Sequence, residues 1–506
     1  MFESTKIISI EIAEDISKKA QLRGKKIGMC HGVFDLLHPG HFAHFKVAKS
    51  KVDILIVSVT TDLFVKKGPG RPLFQENVRA ATISMLECVD YVVFSNNETA
   101  LNSIERIRPN IYFKGSDYKN IADDVTGMIM KEMQQVEKYG GEVIFTDELT
   151  SSSTTLINRH FSNKSQEVEM WLDSFKKKYT TEQINYYLDQ IKDLRVSVLG
   201  EIIVDKYTSC DPLAKSSKDP ILAFQELETK TYLGGVLAIR DNLMSWLDNV
   251  FLYSLAPVQF PTKDRKALEL ALNSENSFIA RTDTKLIVKH RYVDVNSQSR
   301  VFETYDFDPK SSFIKREMMI DRIKLRSEET DVFIVADFGH GLISKEFANE
   351  LSELDIFLAV NTQSNAGNRG YNTITKYPRA NFISLNGSEM QLELRDKNPN
   401  YEIVVPQYMN RLSAQYAVVT LGSKGMMVFS SDARTLIPAL GSVIVDKVGA
   451  GDSVLAIGSI LARIDTPIEI IALICSIVAA HEISQLGHQS SLRISDIKKS
   501  VKGLIG

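Results

Sequence analysis

The chain has 506 residues, of which 44% are hydrophobic and 24% charged, with a formal net charge of −3. This length predicts two or three domains, and the composition is that of an ordinary folded globular protein. The balanced charge argues against a polyanion-binding surface, so nucleic acid is not expected as a main partner.

The four cysteines are scattered and lack metal-ligand spacing, which is typical of reduced thiols in a cytoplasmic protein. The N-terminus has early acidic residues and no long apolar core, so no signal peptide is predicted. The longest apolar run, residues 468–480, is too short to span a bilayer and predicts a buried helix. We therefore expect a cytoplasmic protein without a membrane partner.

Residues 1–24 predict a helical lead-in that ends at Gly24. The next stretch, 25–48, predicts a buried strand, a glycine-containing turn and the first turn of a helix. Its candidate site residues are His31, Gly32, Val33, Phe34, Asp35, His38, Gly40 and His41.

Two imidazoles three residues apart, His38 and His41, would stand beside the unpaired amides of a helix N-terminus. Such a terminus favours anions, and imidazoles can donate further hydrogen bonds to phosphate oxygens. Gly40 between them would let a triphosphate approach the backbone closely. This pattern suits nucleotidyl transfer, in which positioning and charge stabilisation dominate catalysis.

Strand-like runs at 54–59, 91–94, 111–113 and 143–145 alternate with helical patterns. That alternation predicts a doubly wound parallel sheet with ligands at the carboxyl ends of its strands. Three loop segments could bind phosphate: the basic stretch 66–72 followed by Arg79, the stretch 114–118 beginning with Lys114, and the hydroxyl cluster 151–155. A solvated charge cluster or a helix cap would explain the first and third equally well.

Residues 15–161 resemble nucleotidyltransferases with the HxGH signature, in the variant of glycerol-phosphate cytidylyltransferases and the adenylyltransferase of ADP-heptose synthesis. The matching motifs are HPGH, RP…R, VDYVV, KGSDY and STT. The resemblance implies that His38 and His41 stabilise the transition state. It further implies a nucleotide site that includes Asp90 near the base and Lys114, Gly115, Asp117, Ser153, Thr154 and Thr155.

Residues 166–192 are polar and helical in pattern, and we interpret them as a linker between domains at 1–165 and 193–506. A second α/β series follows, with strands predicted at 196–199, 250–252, 332–336, 356–360, 382–385 and 417–421, then two long helices. The predicted fold class is thus α/β, with two doubly wound domains.

The motif DKVGAGD ends at Asp452 and opens a helix of small and apolar residues. Gly449, Ala450 and Gly451 would form a nest of amides for developing negative charge, and Asp452 could take a proton from an attacking hydroxyl. Asn386 and Glu389 after a strand offer polar ligands for hydrated Mg²⁺. A strand end and turn suited to nucleotide approach contains Thr420, Gly422 and Gly425.

This second set resembles ribokinase-like (phosphofructokinase-B-type) sugar kinases, in particular the heptose-phosphate kinase branch, over about 193–495. By that resemblance Asp452 is the base, Gly449–Gly451 the anion hole, and Asn386 with Glu389 the magnesium–phosphate set. The implied sugar site contains Asp205, Gly234, Gly235, Lys289 and Arg291. Residues 207–233 would form a small β lid that often carries a dimer interface, so a homodimer or higher homo-oligomer is expected.

Three departures from the kinase pattern cluster on its acceptor side. The asparagine of GGAAN is missing after Gly234, His340 replaces the lysine of DYGKG, and residues 361–364 read NTQS in place of DPKG. These changes indicate either an acceptor other than heptose 7-phosphate or a catalytically weak kinase half.

Together the halves resemble the bifunctional sugar kinase/nucleotidyltransferase of nucleotide-activated heptose synthesis for surface polysaccharides, with the domain order reversed. The expected enzyme phosphorylates a sugar or sugar phosphate with ATP and transfers a nucleotidyl group to a sugar 1-phosphate. Mg²⁺ is expected at both sites because both handle triphosphates. One alternative is CTP-dependent activation of a polyol phosphate or other phospho-acceptor; another is a kinase-like half that only binds or dimerises. No residue distinguishes ATP from CTP as nucleotidyl donor.

Overall fold

The computed structural model describes residues 4–65, 71–97, 99–115, 128–146, 165–216, 218–258, 276–282, 285–297, 299–308, 316–441 and 444–505. The chain divides into two compact units. The first comprises residues 1–163 with 495–506, and the second comprises 164–494.

Within residues 4–146, the described part of the first unit has five strands and five helices in alternation, and the helix at Ile494–Ile505 contributes most of its residues to the same unit. The strands are β1 (Ile27–Gly32), β2 (Ile54–Thr60), β3 (Tyr91–Ser95), β4 (Ile111–Gly115) and β5 (Glu142–Thr146). The helices are α1 (Ile10–Gln21), α2 (Pro39–Ser50), α3 (Glu76–Ser84), α4 (Leu101–Ile107) and α5 (Met128–Lys138), with a short 3-10 turn at Asp62–Phe64.

The five strands form one parallel sheet in the order β3-β2-β1-β4-β5. Successive side chains alternate between its faces: Cys30 packs in a core cluster with Phe45 of α2, whereas Met29 packs with Ala13 of α1. Because helices cover both faces, every strand can be apolar throughout, and polar chemistry is confined to the strand ends.

The second unit begins with α6 (Gln166–Lys176) and α7 (Thr181–Gln190). Its strands are β6 (Arg195–Gly200), β7 (Ile202–Lys215), β8 (Leu222–Gly235), β9 (Asn249–Pro257), β10 (Ser277–Thr282), β11 (Ile287–Asp294), β12 (Arg300–Asp306), β13 (Val332–Asp337), β14 (Leu358–Thr362), β15 (Phe382–Asn386), β16 (Tyr416–Thr420), β17 (Met426–Ser430) and β18 (Arg434–Ile437). Its other helices are α8 (Val236–Met244), α9 (Arg316–Arg326), α10 (Lys345–Glu353), α11 (Gly387–Leu394), α12 (Tyr401–Arg411), α13 (Ala450–Arg463) and α14 (Ile468–Glu482), and α15 (Ile494–Ile505) ends the chain. Short 3-10 turns lie at Ser327–Glu329, Ile374–Lys376 and Gly422–Lys424.

Nine strands of this unit form a sheet in the order β10-β9-β6-β13-β14-β15-β16-β17-β18. The strands from β10 to β16 run parallel, and β17 and β18 complete the edge in antiparallel fashion. A separate four-stranded sheet, β12-β11-β7-β8, corresponds to the predicted lid and extends beyond residues 207–233 to include β11 and β12.

The predicted fold class is confirmed: both units are α/β, and their main sheets are parallel with covering helices. The predicted strands are present, with β14 beginning two residues later than the expected start at Ile356. The sequence did not predict β10, β11, β12, β17 or β18. The apolar run at 468–480 lies in the buried helix α14. Among the described residues, no helix has the length and apolarity needed to cross a membrane.

Candidate functional sites

His38 caps the N-terminus of α2. Its Nδ1 accepts a hydrogen bond from the backbone N–H of Gly40 at 3.1 Å, and Pro39 occupies the first helical turn, where no amide donor is needed. Because Nδ1 is an acceptor, the proton of the neutral ring lies on Nε2, which can donate to a ligand. The backbone N–H of Gly40 is therefore already bonded to His38.

His41 stands over His38, with ring centroids 4.0 Å apart and planes inclined by 37°. Phe34 meets the edge of the His41 ring at 5.4 Å and also packs against Phe45. Phe34 has a positive φ of 51°, and a side chain at Gly32 would meet its ring at 3.1 Å. Gly32 thus leaves space for the Phe34 ring, and Phe34 in turn positions the His41 ring.

Asp35, in the loop after β1, binds the segment that precedes α3. Its carboxylate accepts the backbone N–H groups of Leu73 at 2.6 Å and Phe74 at 3.0 Å, and it pairs with the Arg71 guanidinium at 3.0 Å. Asp35 thus has a scaffolding role, since its oxygens accept three hydrogen bonds from this segment, and its predicted nucleotide contact stays a prediction.

Arg79 is buried, contrary to the interpretation of a solvated charge cluster. Its guanidinium donates to the carbonyl oxygens of Val33, Thr60 and Phe74 at 2.5–2.8 Å and to Asp62 at 2.5 Å. Val33 is therefore a loop anchor through its carbonyl. Arg79 fixes the segment between β1 and α2 against the end of β2.

His31 ends its strand beside hydroxyl groups. Its Nδ1 lies 3.0 Å from Ser58 Oγ and its Nε2 lies 3.4 Å from Thr60 Oγ1. Desolvation by these surroundings lowers the pKa of His31 to about 4, so the ring is neutral at pH 7.

Lys114 at the end of β4 pairs with Glu132 of α5 at 2.8 Å. Glu132 also accepts from the backbone of Ala100 and the hydroxyl of Tyr112. Burial alone would raise the pKa of Glu132, but the Lys114 ammonium, the His31 ring and the Ala100 amide together outweigh burial, and the net pKa is lowered. Sequence reasoning found Lys114 and missed Glu132. Gly115 follows, with open space where a Cβ would lie.

A third histidine of α2, His44, was missed from the sequence. It is buried, and its Nδ1 lies 2.8 Å from Thr146 Oγ1 at the end of β5. Its spacing of three residues from His41, on the same helix face, was the available signal. Thr146 also donates to the carbonyl of Lys114, so the carboxyl ends of β4 and β5 meet beside α2.

Asp90 lies away from the residues at the carboxyl ends of the strands. Its carboxylate accepts the N–H of Leu55 and the Lys49 ammonium, both at 2.7 Å, at the amino ends of β2 and β3. The amino ends lie on the opposite edge of a parallel sheet from the carboxyl ends, so Asp90 lies away from the histidines, and its assignment to the base pocket stays a prediction. Asp117, Ser153, Thr154 and Thr155 lie outside the described residues, as does the basic segment 66–70.

In the second unit, Asp452 lies in the first turn of α13, after Gly449, whose φ of 89° requires glycine. Ala450 and Gly451 complete the turn, and the space around Gly451 is open. Burial raises the pKa of Asp452 to about 7; the Lys289 ammonium acts in the opposite direction, and the carboxyls of Glu482, Asp205 and Glu389 add to the rise. A carboxyl with this pKa suits proton transfer at neutral pH.

Asn386 and Glu389 form a reciprocal capping box at the start of α11, with both hydrogen bonds at 2.8 Å. The second oxygen of Glu389 accepts the N–H of Ser364 at 3.2 Å, and burial raises the pKa of Glu389 to about 7. The described residues include no cluster of three metal-ligating side chains. This donor set does not form a direct Mg²⁺ cage; Glu389 fits a hydrated ion held mainly by substrate phosphates.

Thr420 lies beside Asn386 in the register between β15 and β16. Gly422 and Gly425 follow with φ of 61° and 92°. A Cβ at Gly425 would lie 1.9 Å from the carbonyl oxygen of Ile437, so this tight turn admits only glycine.

The predicted sugar residues lie together on the four-stranded sheet. Lys289 is in register with Asp205, and Arg291 donates to the Asp205 carboxylate. A Cβ at Gly234 would lie 2.0 Å from Asp205 Oδ2, and one at Gly235 would lie 2.4 Å from the carbonyl of Glu201. Gly234 therefore makes room for the Asp205 carboxylate, and Gly235 makes room for the backbone carbonyl of Glu201.

Several buried polar groups around this site were missed from the sequence. Glu201 accepts three backbone N–H groups from the loop after β13, those of Phe338, His340 and Leu342. Burial and the neighbouring Asp337 raise the pKa of Glu201 to about 7. Asp446, the first residue of DKVGAGD, accepts from Tyr207 and Arg300 of the four-stranded sheet.

Two further contacts support the α13 turn. Asn242 of α8 donates to Ser453 Oγ at 3.0 Å, and Glu482 packs behind Gly449 while pairing with His488 at 2.9 Å. Asn242 and Glu482 are distant in sequence from the α13 turn, so no local motif could reveal them.

Comparison with known families agrees with this geometry. Residues 29–160 match the cytidylyltransferase-like family model, and residues 357–494 match the pfkB carbohydrate kinase family model. One part of the chain is therefore similar to cytidylyltransferases and a later part to pfkB carbohydrate kinases. The resemblance inferred from HPGH and GAGD is confirmed in both identity and order.

Curated relatives named Bifunctional protein HldE match the N-terminal part of the chain. The protein from Syntrophotalea carbinolica is 37% identical over 155 residues, and that from Geobacter metallireducens is 38% identical over 154. Each alignment covers 30% of this chain and 30% of the relative, so the chain spans about a third of the length of these relatives. Phosphofructokinase-2 from Escherichia coli in complex with fructose-6-phosphate aligns at 12% identity with a TM-score of 0.48, covering 62% of this chain and 99% of that structure.

Proposed function

We propose that the protein is a bifunctional enzyme: its first unit transfers a nucleotidyl group from a nucleoside triphosphate to a sugar 1-phosphate, and its second unit phosphorylates a sugar or sugar phosphate. The observation that carries the first activity is the stacking of His38 and His41 at the start of α2, where the strand ends meet. Two imidazoles there can stabilise charge that develops on the α-phosphate as pyrophosphate leaves.

In the proposed transfer, an oxygen of the acceptor phosphate attacks the α-phosphorus and the bond to the leaving pyrophosphate breaks. His38 donates from Nε2, and His41, held by Phe34, supplies the second donor. Lys114 is neutralised by Glu132, so it orders the end of β4 and adds little net positive charge. The histidines and the helix N-terminus therefore supply most of the stabilisation in the described part of this unit.

In the proposed kinase, Asp452 takes the proton of the acceptor hydroxyl as that oxygen attacks the γ-phosphorus of ATP. The amides at the start of α13 then face the developing negative charge. The open space at Gly451 leaves room for the transferred group. Mg²⁺ would neutralise phosphate charge when bound, with Glu389 as its acidic neighbour through water.

A heptose derivative is the proposed sugar for both reactions, in line with the relatives named HldE. The alternative is CTP-dependent activation of a polyol phosphate, which is favoured by the cytidylyltransferase-like match at 29–160. In that alternative the kinase unit has an altered acceptor or serves in binding or dimerisation.

We further propose a cytoplasmic homodimer that contacts the second copy through the four-stranded sheet. In support, this sheet exposes large apolar side chains at Leu213, Leu222, Leu227 and Phe302. Sedimentation of the purified protein at several concentrations would measure its oligomeric state, and a monomer throughout would exclude the homodimer.

The deciding experiment measures pyrophosphate release with ATP and with CTP, each against a panel of sugar and polyol phosphates that includes heptose 1-phosphate. Turnover with ATP and heptose 1-phosphate supports the nucleotide-sugar activity. Turnover with CTP and a polyol phosphate supports the alternative. Absence of release with every pair would exclude nucleotidyl transfer to these acceptors.

A further inference from the structure

His340 is a buried polar side chain whose hydrogen-bonding capacity is unused within the described part of the protein. It is 7% exposed, and both Nδ1 and Nε2 are enclosed without a hydrogen-bond partner among those residues. Leaving such groups unmet costs free energy, so an unpartnered pair of ring nitrogens calls for an explanation. One explanation is a ligand that supplies the missing hydrogen bonds.

The ring is held in place by its surroundings. The His340 amide donates to Glu201 at 3.0 Å, and the preceding Gly339 has a φ of 69°. Asn365 donates to the carbonyl of Phe338 at 2.7 Å, which fixes the same loop from the other side. The His340 ring itself packs against Phe307, with ring centroids 5.1 Å apart, and near Tyr305 at 6.5 Å, so aromatic side chains limit the space in which the imidazole can turn.

The site around His340 belongs to the acceptor side of the kinase unit. His340 lines a cavity with Glu201, Leu255, Lys285, Ile287 and Asp308. The Lys289 ammonium acts electrostatically on both His340 and the proposed base, Asp452, so Lys289 is near both groups. Lys289 itself is 5% exposed and lies over the Tyr305 ring at 5.5 Å.

The protonation state decides which ligand group fits His340. Burial and the Lys289 charge lower the pKa of His340 to about 4, so the neutral ring has one N–H donor and one acceptor nitrogen. A phosphate dianion only accepts and would leave the second nitrogen unmet. A hydroxyl both donates and accepts, so hydroxyl groups can satisfy both nitrogens.

We propose that His340 is a specificity-determining residue of the kinase unit that binds a hydroxyl of the acceptor, while Lys289 receives the acceptor's anionic group. The acceptor is thus a polyhydroxylated anion whose hydroxyl next to His340 is not the one phosphorylated. This inference rests on the proposed kinase activity and names the substrate class of the same site.

The test compares wild type with His340→Leu and His340→Gln on sugar phosphates and their single deoxy analogues. Leucine removes both polar atoms, whereas glutamine keeps one donor and one acceptor. We expect His340→Leu to raise KM for the hydroxylated acceptor by about tenfold or more, with a smaller effect on kcat, and to abolish discrimination against one deoxy analogue. Glutamine should restore part of that discrimination. Unchanged discrimination in His340→Leu would overturn the proposal.

His290→Leu is the matched control in the same unit. His290 bonds Thr208 at 2.6 Å, so this variant should lower the melting temperature and leave discrimination intact. His340→Leu should instead keep or raise the melting temperature of the free protein, because no bond within the described structure is lost. A clear drop would overturn the proposal.

Ligand-induced shifts in melting temperature separate this inference from the kinase assignment. If wild type binds hydroxylated phosphates and His340→Leu loses the preference for the full hydroxyl set, His340 recognition stands even without turnover. Binding without turnover would refute the proposed kinase alone, and equal binding by both proteins would refute the role of His340.

Discussion

Nδ1 of His38 and the backbone N–H of Gly40 form a hydrogen bond of 3.1 Å that fixes which nitrogen of His38 carries the proton. The same side chain therefore caps α2 through Nδ1 and offers Nε2–H to substrate. The two roles can be separated by substitution, because asparagine reproduces the cap and lacks the donor beyond it.

His38→Asn should keep the stability of the first unit within about 0.5 kcal/mol and reduce pyrophosphate release by about 10²–10³-fold. His38→Ala should lose a similar factor in rate and also about 1 kcal/mol of stability, since the cap is gone. Urea unfolding and a pyrophosphate assay measure the two effects. Near-wild-type turnover in His38→Asn would exclude Nε2 as an essential donor.

His41→Ala and Asp452→Asn should have opposite effects on the two activities. The first should abolish pyrophosphate release and leave acceptor-dependent ATP consumption intact, and the second should do the reverse, because each residue lies in a different unit. Both activities are measured on each purified variant. Equal damage to both by either substitution would contradict two independent sites.

The kinase should gain activity as pH rises through about 7. Asp452 acts as a base only when ionised, so kcat should fall about tenfold per pH unit below the raised pKa of about 7 and level off above it. The Lys289 charge lowers the pKa of Asp452, so Lys289→Met should move the midpoint to higher pH at saturating acceptor. A flat profile between pH 5 and 8 would exclude Asp452 as the titrating base.

Asp452→Asn should also change how stability depends on pH. The Asp452 carboxyl has an ordinary pKa of 3.8 when unfolded and about 7 when folded, so between these values the folded state holds a proton that the unfolded state has lost. Wild-type stability should therefore fall relative to the variant by up to about 1.4 kcal/mol per pH unit in this window and change no further above pH 7. Urea unfolding of the second unit at pH 5, 6, 7 and 8 measures the difference. A constant difference would show that the folded-state pKa is not raised.

Arg79→Lys should destabilise the first unit by about 3 kcal/mol or more, since a lysine cannot reach the carbonyls of Val33, Thr60 and Phe74 together and leaves buried acceptors unmet. Arg106→Lys is the control, because Arg106 pairs with Glu11 and Glu14 near the surface and should change stability by less than about 1 kcal/mol. Thermal unfolding of the two variants compares them directly. Equal effects would show that the Arg79 network is not structural.

Local sequence patterns were sufficient for the strand–turn–helix around His38 and for the glycine turn before Asp452. A short apolar strand and a capping histidine determine the backbone around His38, and Gly449 with its positive φ determines the helix start before Asp452, so in both places the pattern and the geometry coincide. The alternation of apolar runs likewise predicted the parallel sheets, because βαβ units allow few other arrangements.

Contacts between distant segments decided what each polar residue does. Asp90, Asp35 and Arg79 look alike as loop charges in the sequence, yet the fold places Asp90 at the opposite sheet edge and uses the other two as scaffold. Glu132 and Glu482 carry no motif, and they become significant only through contacts with other segments, at Lys114 and Gly449 respectively.

The sequence by itself determined the two α/β domains, their order and the residues at the two helix starts, because these depend on interactions within a few residues. Only the tertiary structure decided which of the remaining charges are buried, paired or left unpartnered. Burial and pairing depend on elements brought together from distant parts of the chain. In the sequence, His340 is only one residue that departs from a motif. In the described structure, it is a buried ring whose two nitrogens have no hydrogen-bond partner.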